Sequence, residues 1–542
     1  MKIGFAQLNT TVGDLQGNFE KILGAYERLT AAGAELVITP ELAISGYPPQ
    51  DLVFKSRFVA ENLELVEKLH ARVKRGALVV GFVDRNESHG KPFHNAAALL
   101  DAGQPIRTTH KSLLPTYDVF DEDRYFEPAR HVEPFSVRGT KIGLTICEDI
   151  WTEHYLPRPL YDVEPTRSLI EQGAELIVNL SASPFSLRKP AVRYEMVGGL
   201  AQTYRRPIFY CNAVGGNDQL VFDGNSIAFN ARGELIAQLP GFREEESIVD
   251  SEATGGRTFR ESPIPEELFA ALSLGLRDYV RKCNFKSVVL GLSGGIDSAV
   301  VAVIAADALG AENVVGVSMP SQYSSRGSIE DSKMLAKNLG IKLLHLPIAE
   351  TFAVFKAQFK EIFGGLPENE TEENMQPRLR AMTLMALSNK FGHLVLSTGN
   401  KSELAVGYCT IYGDMAGGLA VISDVPKTII YQLGRWINRE HEIIPTSTIE
   451  KPPSAELKPN QKDQDTLPPY ESLDEILRLY VEENLSARDI IGHGFDEKTV
   501  RWVQRRVDLN EYKREQAAPG LKVTTRAFGL GRRMPIAQKY VD

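Results

Sequence analysis

Cysteine is scarce in this chain. The 542 residues include only four cysteines, which are Cys147, Cys211, Cys283 and Cys409. None of them forms a Cys-x-x-Cys pair, and their wide spacing fits no common zinc motif. The sequence therefore argues against a disulfide-stapled scaffold and against a structural zinc site. It favours a reducing compartment in which the thiols stay free.

Long apolar runs are missing as well. No segment approaches the roughly 18–20 consecutive apolar residues that a membrane-spanning helix needs. The first residues, MKIGFAQLNTTVGD, enter a strand-like pattern directly and lack the apolar core of a signal peptide. We therefore expect a cytoplasmic protein with no membrane partner.

Positive charge is not in excess. Lysine and arginine number 61 against 70 aspartates and glutamates, which gives a net charge of −9, and the pI is about 5.7. A nucleic-acid-binding protein usually presents a basic surface, so no nucleic-acid partner is expected. The hydrophobic share of 43% is ordinary for a globular protein. The length is too great for one core, so two domains are expected.

Strand-like and helix-like segments alternate in both halves. Residues 1–245 contain runs such as KIGFAQLN and KIGLTICED, and they predict one α/β domain. Residues 246–265 are charged and rich in turn formers, so they are interpreted as a linker. Residues 266–542 begin with a helical pattern. Four apolar strands follow (SVVLGLS, NVVGVSMP, KLLHLPI and HLVLSTGN), and they predict a doubly wound parallel sheet with helices on both faces.

The most informative segment joins a strand to a helix and reads GLSGGIDS. Its residues are Gly291, Leu292, Ser293, Gly294, Gly295, Ile296, Asp297 and Ser298. Backbone N–H groups in such a turn and the following helix N-terminus favour a phosphate. The Gly-Lys-Ser/Thr ending of a Walker A loop is missing. Asp297 supplies an oxygen ligand of the kind that Mg²⁺ prefers. The plainer alternative is an ordinary glycine-rich turn.

This segment resembles the SGGxDS loop of the ATP pyrophosphatases, which adenylate a carboxyl or carbonyl oxygen. The resemblance implies that ATP is a cosubstrate and is cleaved at its α-phosphate. It also implies that the eight loop residues hold the diphosphate, with Mg²⁺ on Asp297. The loop, SMPSQYSS and STGNKSE all lie at predicted strand ends, so they can converge on one crevice.

A second set of residues lies in the first half. Glu41 follows a strand in TPELAISGYPPQD, Lys111 lies in HKSLLPTYDVF, and Cys147 follows a strand in LTICEDIW. Cys147 taken alone fits a plain core thiol. Together the three contexts resemble the Glu–Lys–Cys triad of the nitrilase superfamily, whose members cleave amide or nitrile C–N bonds. The resemblance spans residues 1–245 and implies a four-layer αββα sandwich.

The triad chemistry implied by the resemblance is coherent. Cys147 attacks as a thiolate, which the ammonium of Lys111 stabilises. Glu41 moves the protons, and Lys111 also stabilises the oxyanion. In glutaminase members, residues at the positions of Tyr117, Ser183 and Lys189 contact glutamine. A buried structural tyrosine is the alternative for Tyr117. The acidic residues that remain nearby are interpreted as supporting groups, and they are Glu122, Glu148 and Asp149.

The second half offers further matches to a synthetase. The resemblance assigns ATP contacts to Thr398, Lys427 and Ser454. It assigns contacts with deamido-NAD⁺ to Asn374, Arg378, Glu403 and Lys513. Glu403 is also a candidate Mg²⁺ ligand. The alternatives are a solvated helix face for Arg378, an ion pair for Glu403 and an ordinary surface position for Lys513.

Over essentially its whole length the chain resembles the glutamine-dependent NAD⁺ synthetase family. The resemblance implies glutamine, ATP and deamido-NAD⁺ as small-molecule substrates, Mg²⁺, no permanently bound organic cofactor and a homo-oligomer. Two alternatives stay open. One is an amidase fused to another amidotransferring ligase, such as an asparagine- or guanylate-forming enzyme. The other is a non-catalytic scaffold or nucleotide sensor.

Overall fold

The chain forms two compact units, Met1–Ser262 and Pro263–Asp542. The structure is a computed structural model, and it describes residues 1–151 and 158–540. Within these residues, no helix combines the length and the apolar character needed to cross a membrane.

The first unit contains two six-stranded sheets. Their orders are β14-β1-β2-β3-β4-β5 and β13-β12-β9-β8-β7-β6. The strands are β1 (Lys2–Gln7), β2 (Leu36–Ile38), β3 (Ala77–Arg85), β4 (Phe93–Asp101), β5 (Arg107–His110), β6 (Phe135–Val137), β7 (Thr140–Ile146), β8 (Leu176–Ser181), β9 (Ile208–Asn212), β10 (Val214–Asn217), β11 (Leu220–Asp223), β12 (Ile227–Phe229), β13 (Leu235–Gln238) and β14 (Glu245–Asp250).

Helices cover the outer face of each sheet. They are α1 (Leu15–Ala31), α2 (Phe58–Arg72), α3 (Pro165–Glu171) and α4 (Lys189–Tyr204). Asp14 caps α1 by accepting the N–H of Gly17 at 3.0 Å. The inner faces of the sheets pack on each other, with the rings of Phe5 and Phe209 5.8 Å apart. The unit is therefore the four-layer αββα sandwich expected from the sequence.

The start of the predicted linker is a strand. β14 pairs antiparallel with β1 along its whole length, from Lys2 opposite Asp250 to Gln7 opposite Glu245. Residues 246–250 therefore belong to the first sheet and not to a linker. Charged side chains hid this strand, because an edge strand exposes one side to water and carries charges there. The guanidinium of Arg28 binds the carboxylate of Glu246 at 2.6 Å on that exposed side.

The second unit has a five-stranded parallel sheet of order β17-β16-β15-β18-β19. Its strands are β15 (Val288–Gly291), β16 (Val314–Ser318), β17 (Lys342–His345), β18 (Leu394–Ser397) and β19 (Leu419–Ala420). Its helices are α5 (Ile264–Lys282), α6 (Ile296–Leu309), α7 (Arg326–Leu339), α8 (Ala349–Phe359), α9 (Glu370–Phe391), α10 (Lys401–Val406), α11 (Lys427–Ile437), α12 (Thr446–Glu450), α13 (Tyr470–Leu477), α14 (Ala487–Gly492), α15 (Glu497–Leu509) and α16 (Glu511–Arg514).

Helices pack on both faces of this sheet. Leu384 of α9 joins Val289, Val315 and Val395 on one face. The helix α6 contacts β15 and β16 on the other face. This is the doubly wound arrangement expected from the sequence. Chain order reverses on either side of β15, so the loop after β15 lies at the switch point where such sheets bind ligands.

Candidate active sites

The first unit brings Glu41 and Lys111 into direct contact beyond the ends of β2 and β5. The ammonium of Lys111 donates to Glu41 Oε1 at 2.8 Å and to Glu122 Oε1 at 2.7 Å. The backbone N–H of Ala182 donates to Glu41 Oε2 at 3.0 Å. All three charged side chains are buried. A buried lysine between two carboxylates keeps its charge, and its pKa lies above the ordinary value although burial opposes this.

Glu122 and Asn95 complete this cluster. Asn95 Nδ2 donates to Glu41 Oε1 at 2.7 Å and to Glu122 Oε2 at 3.4 Å. The hydroxyl of Tyr47 donates to Glu122 Oε1 at 2.8 Å. Burial raises the pKa of Glu122 to about 7, against the opposing effect of Lys111. Sequence reasoning gave Glu122 only a supporting role and missed Asn95. A lone amide in the apolar strand NAAALLD was the available signal.

Cys147 lies in a strained turn directly after β7. Its φ is +45°, a left-handed conformation that non-glycine residues adopt mainly where the structure demands it. Burial raises the pKa of its thiol well above the ordinary value, Glu41 raises it further, and Lys111 opposes them. The raised pKa favours the protonated thiol before substrate binds, and Lys111 is the neighbour that favours the thiolate. The attack of Cys147 as a thiolate beside Lys111 stays a prediction.

Two of the predicted glutamine-contacting residues, Tyr117 and Lys189, act on Glu148, the neighbour of Cys147. The hydroxyl of Tyr117 donates to Glu148 Oε1 at 2.7 Å. Burial raises the pKa of Glu148, while Tyr117 and Lys189 lower it, so Lys189 acts on the same carboxylate. Ser183 follows the residue whose N–H binds Glu41, and its own N–H donates to Asn212 Oδ1 at 2.9 Å. Polar groups of both charges thus surround the thiol.

The pKa of Glu122 predicts a pH dependence for the glutamine hydrolysis that the resemblance implies. Below its pKa of about 7 Glu122 takes up a proton, and Lys111 then pairs with Glu41 alone. That pairing makes Glu41 a weaker base, so we expect glutamate release to fall as the pH drops from about 8 to about 6. Initial rates of glutamate release across this range test it. The Glu122→Gln variant should release glutamate more slowly than the wild type, and its rate should depend less on pH. A rate that still falls as steeply with pH in that variant would contradict the role of Glu122.

The second unit contains a cavity of about 310 Å³ beyond the carboxyl ends of its strands. Its wall includes parts of all three segments that were expected to converge. Of the residues singled out from the sequence, those that line it are Gly291, Leu292, Ser293, Gly295, Ile296, Asp297, Ser298, Thr398, Glu403, Lys427 and Ser454. Residues 452–457 also line the cavity.

Gly294 turns the chain at the tip of the loop. Its φ is +79°, and a Cβ there would lie 2.3 Å from the backbone oxygen of Ser328. We expect Gly294→Ala to destabilise the second unit by about 1–3 kcal/mol through backbone strain. Gly295→Ala is the matched control, because its φ is −84° and its nearest new contact is Ser293 Oγ at 3.3 Å. Thermal unfolding measures both, and equal midpoints would contradict the argument.

Lys427 lies between the two candidate metal ligands. Its Nζ donates to Asp297 Oδ2 at 2.5 Å and to Glu403 Oε1 at 2.9 Å. The amide of Asn400 donates to Asp297 Oδ1 at 3.0 Å, and the hydroxyl of Tyr470 donates to Glu403 at 3.2 Å. Burial lowers the pKa of Lys427, but the two carboxylates outweigh it and raise the pKa. Burial raises the pKa of Glu403 to about 7.

The donor set fits Mg²⁺ only together with a phosphate chain. Among the described residues, no group of three or more acidic, histidine or cysteine side chains has a metal-holding arrangement. Two carboxylates are nevertheless enough where substrate phosphates supply the other oxygens, as is usual for Mg²⁺. Asp297 and Glu403 therefore suit a metal that arrives with a nucleotide.

Three predicted dinucleotide contacts lie behind the cavity wall. Of the described residues, Asn374, Arg378 and Lys513 are not in its lining. Asn374 Oδ1 accepts from Thr410 at 2.7 Å, and Arg378 Nε donates to the oxygen of Ile411 at 3.2 Å. Lys513 Nζ donates to two backbone oxygens of residues 407–409. The hydrogen bonds of these three side chains therefore fix residues 407–411 in position.

Arg380, which was not among the predicted site residues, lines the cavity. Its Nε donates to the backbone oxygen of Met319 at 3.1 Å. Burial lowers the pKa of Arg380 to about 10, while the acidic groups of Glu456 and Asp414 oppose the shift. A buried cation beside the loop is suited to an anionic ligand. Its neighbour Arg378 shares the same helix, so the sequence gave no reason to choose between them.

The family models that match this chain have the same boundary as its two compact units. The carbon-nitrogen hydrolase model matches residues 2–260, and the NAD synthase model matches residues 268–517. The chain is therefore a carbon-nitrogen hydrolase domain followed by an NAD synthase domain.

The relatives are similar over the full length. The chain is 50% identical to the glutamine-dependent NAD(+) synthetase of Synechocystis sp., covering 99% of each, and 46% identical to that of Thermotoga maritima, covering 100% and 99%. The glutamine-dependent NAD⁺ synthetase of Acinetobacter baumannii, solved in complex with adenosine diphosphate, superposes with a TM-score of 0.77 at 38% identity, covering 99% and 98%. The glutamine-dependent NAD(+) synthetase of Cytophaga hutchinsonii superposes with a TM-score of 0.83 at 25% sequence identity, covering 99% of this chain and 98% of that one. The chain belongs to the family of glutamine-dependent NAD(+) synthetases.

Proposed function

We propose that this chain converts deamido-NAD⁺, ATP, glutamine and water into NAD⁺, AMP, diphosphate and glutamate. The observation that carries the proposal is the pairing of two polar centres in one chain. One is the buried Glu41–Lys111 pair beside Cys147 in the first unit. The other is the Asp297–Lys427–Glu403 cluster in the cavity of the second. We accordingly assign glutamine hydrolysis to residues 1–262 and amide formation to residues 263–542.

The neutral thiol of Cys147 needs a base, and Glu41 is the charged neighbour able to serve. Glu41 takes the thiol proton as the sulfur attacks the side-chain amide carbon of glutamine. The oxyanion forms near the ammonium of Lys111, which opposes its charge. Glu41 returns the proton to the departing ammonia and leaves a thioester on Cys147. Glu41 then takes a proton from the water that attacks the thioester. Glutamate is released as the C–S bond breaks, and Glu41 returns the proton to the sulfur of Cys147.

Glutamine recognition follows from the charges around the thiol. Glu148 is buried and accepts the hydroxyl of Tyr117, and Lys189 acts on the same carboxylate. A free amino acid carries one ammonium and one carboxylate, so we assign the ammonium to Glu148 with Tyr117. We assign the carboxylate to Lys189 and Ser183. A substrate that lacks either charge loses the matching contact, so it should bind more weakly than glutamine.

In the second unit, the loop Gly291–Ser298 is proposed to hold the diphosphate of ATP. The loop leads directly into the N-terminus of α6, where backbone N–H groups favour an anion. Lys427, Thr398 and Ser454 line the same cavity. Asp297 and Glu403 would hold Mg²⁺, whose positive charge would neutralise the phosphate oxygens. The carboxylate of deamido-NAD⁺ attacks the α-phosphate, diphosphate leaves, and ammonia then displaces AMP from the adenylate.

We propose that deamido-NAD⁺ approaches this α-phosphate from the side of residues 407–414, part of which lines the cavity. Asn374, Arg378 and Lys513 fix the first part of that wall through backbone oxygens and the hydroxyl of Thr410. We therefore propose that they shape the dinucleotide site. Glutamine hydrolysis serves this site because free ammonia is scarce and mostly protonated at neutral pH.

The homo-oligomer implied by the resemblance is part of the proposal. Its support in the structure is a set of exposed apolar side chains on α9, namely Met382, Met385 and Phe391. Exposed apolar patches commonly mark protein contacts. Light scattering of the purified chain, with Met382→Glu as the disrupting variant, tests whether copies of the chain meet there.

The direct test of the reaction uses the purified full chain. We expect NAD⁺ to form from deamido-NAD⁺, ATP and Mg²⁺ with either glutamine or an ammonium salt as the nitrogen source. Asparagine- or guanylate-forming enzymes would instead use aspartate or xanthylate as the acceptor, so those acceptors are the controls. Turnover with aspartate or xanthylate but not with deamido-NAD⁺ would overturn the proposal, and absence of any turnover would favour a nucleotide sensor.

A further inference from the structure

Lys427 already supplies a cation to the two carboxylates proposed to bind Mg²⁺. Its Nζ contacts Asp297 Oδ2 and Glu403 Oε1 at 2.5 and 2.9 Å, and its side chain is 3% exposed. The ring of Tyr470 lies 5.4 Å from the same ammonium. The two carboxylates are themselves only 19% and 18% exposed. The position between them is therefore enclosed and already occupied by one cation.

A divalent ion and this ammonium cannot occupy the same contacts together. Lys427 already holds Asp297 Oδ2 and Glu403 Oε1, and Asn400 holds Asp297 Oδ1, so a metal bound by both carboxylates would meet the ammonium at close range, where two cations repel strongly in a buried site. The ammonium can leave only if another anion compensates its charge, because an unpaired buried cation is costly. Among the described residues that line the cavity, the other acidic side chains are already engaged. Asp463 accepts two tyrosine hydroxyls, Glu456 accepts from Ser325 and Ser328, and Asp414 accepts the N–H of Thr410.

We infer that Lys427 is an internal counter-ion that keeps metal out of the site until a nucleotide enters. The phosphate chain offers the ammonium a new partner, and Asp297 and Glu403 then become free to take Mg²⁺. Metal and nucleotide binding are therefore coupled through this one side chain. The inference rests on the proposed metal role of Asp297 and Glu403. It gives Lys427 a positioning role beyond contact with ATP.

The test measures metal binding without nucleotide. Mn²⁺ is titrated into the full chain, and the free ion is followed by its electron paramagnetic resonance signal. We expect the wild type to bind Mn²⁺ weakly and Lys427→Met to bind one ion about 5- to 150-fold more tightly, the usual range of a coupling between two ligands. Lys427→Gln is the second variant, and thermal unfolding shows which of the two stays folded.

Two further variants locate the bound ion. Lys451→Met removes another cavity lysine, one that contacts Asp331 and Ser328, so its Mn²⁺ affinity should match the wild type. The double variant Lys427→Met, Asp297→Asn should lose the gain. Two results would overturn the inference, because each would mean that Lys427 does not exclude metal. One is that the wild type without nucleotide binds Mn²⁺ as tightly as Lys427→Met. The other is that neither Lys427 variant binds Mn²⁺ more tightly than the wild type.

A second titration separates this inference from the proposed function. Mn²⁺ is added together with α,β-methylene-ATP to the wild type and to Asp297→Asn. Extra bound Mn²⁺ in the wild type supports the metal role of Asp297, whether or not Lys427 controls its entry. Equal binding by the two proteins would overturn the metal role itself, and the inference with it.

Discussion

Replacing Cys147 by alanine should separate the two nitrogen sources. We expect Cys147→Ala to lower glutamine-dependent NAD⁺ synthesis by at least about 10⁴-fold, because losing a nucleophile removes the covalent route entirely. Ammonia-dependent synthesis should stay within about twofold of the wild type, since the variant leaves transition-state contacts in the second unit intact. The thiol is buried in the core between the two sheets of the first unit, and the nucleotide cavity lies wholly in the second.

The matched control is the other buried cysteine of the first unit. Cys211 lies on β9, and its thiol donates weakly to backbone oxygens of Ala6 and Ile38 at 3.7 Å. Cys211→Ala removes a buried sulfur from the same core without touching Glu41 or Lys111. It should therefore keep glutamine-dependent synthesis. Paired rates with glutamine and with ammonium chloride decide the matter, and a Cys147→Ala protein that still uses glutamine normally would refute the assignment of the nucleophile.

Replacing Asp297 should lower NAD⁺ synthesis with both nitrogen sources, whereas replacing Cys147 should lower only glutamine-dependent synthesis. Asp297→Asn keeps the size of the side chain but removes one of the two carboxylates around Lys427. We expect synthesis with glutamine and with ammonia to fall by at least about 100-fold, the usual cost of losing one electrostatic group at a reacting centre. Glutamate release by the first unit should persist, because its charged cluster does not include any residue of the second unit.

The control for Asp297 is an exposed aspartate on the same helix. Asp307 lies near the end of α6 and faces solvent, so Asp307→Asn should leave both rates unchanged. Chromatography of the wild-type products checks the chemistry itself, since attack at the α-phosphate gives AMP and diphosphate. ADP with phosphate as the products would rule out adenylation. Full activity of Asp297→Asn would remove this residue from the metal site.

Local features of the molecule were visible in the sequence. The turn between β15 and α6 could be placed from GLSGGIDS because a strand, two glycines and a helix follow one another within a few residues. The sandwich of the first unit and the parallel sheet of the second also followed from alternating apolar segments and from resemblance to known families. Each of these depends on short-range patterns, which single sequences preserve well.

Long-range features were not visible. Asn95 reaches Glu41 across 54 positions of the chain, so its role exists only once β4 lies beside the turn after β2. Lys427 could be matched to ATP, but nothing in the sequence shows that it pairs with Asp297, which is 130 positions away. The edge strand β14 was read as a linker because its charged side chains resemble loop composition. Such contacts depend on tertiary packing, which overrides local preference.

The pairing of β1 with β14 has a consequence for how the protein is made. β1 leaves the ribosome long before its antiparallel partner β14, which ends at Asp250. Until then one side of β1 carries unpaired backbone groups, which can pair with the wrong strand or with another chain. Pairing β1 with β14 closes a loop of more than 200 residues. Such pairing is slow, because the conformational entropy of the loop is lost before the hydrogen bonds between the strands form. The first unit can therefore complete its sheet only when synthesis has nearly reached the second, and a nascent chain stalled earlier is the form most exposed to aggregation.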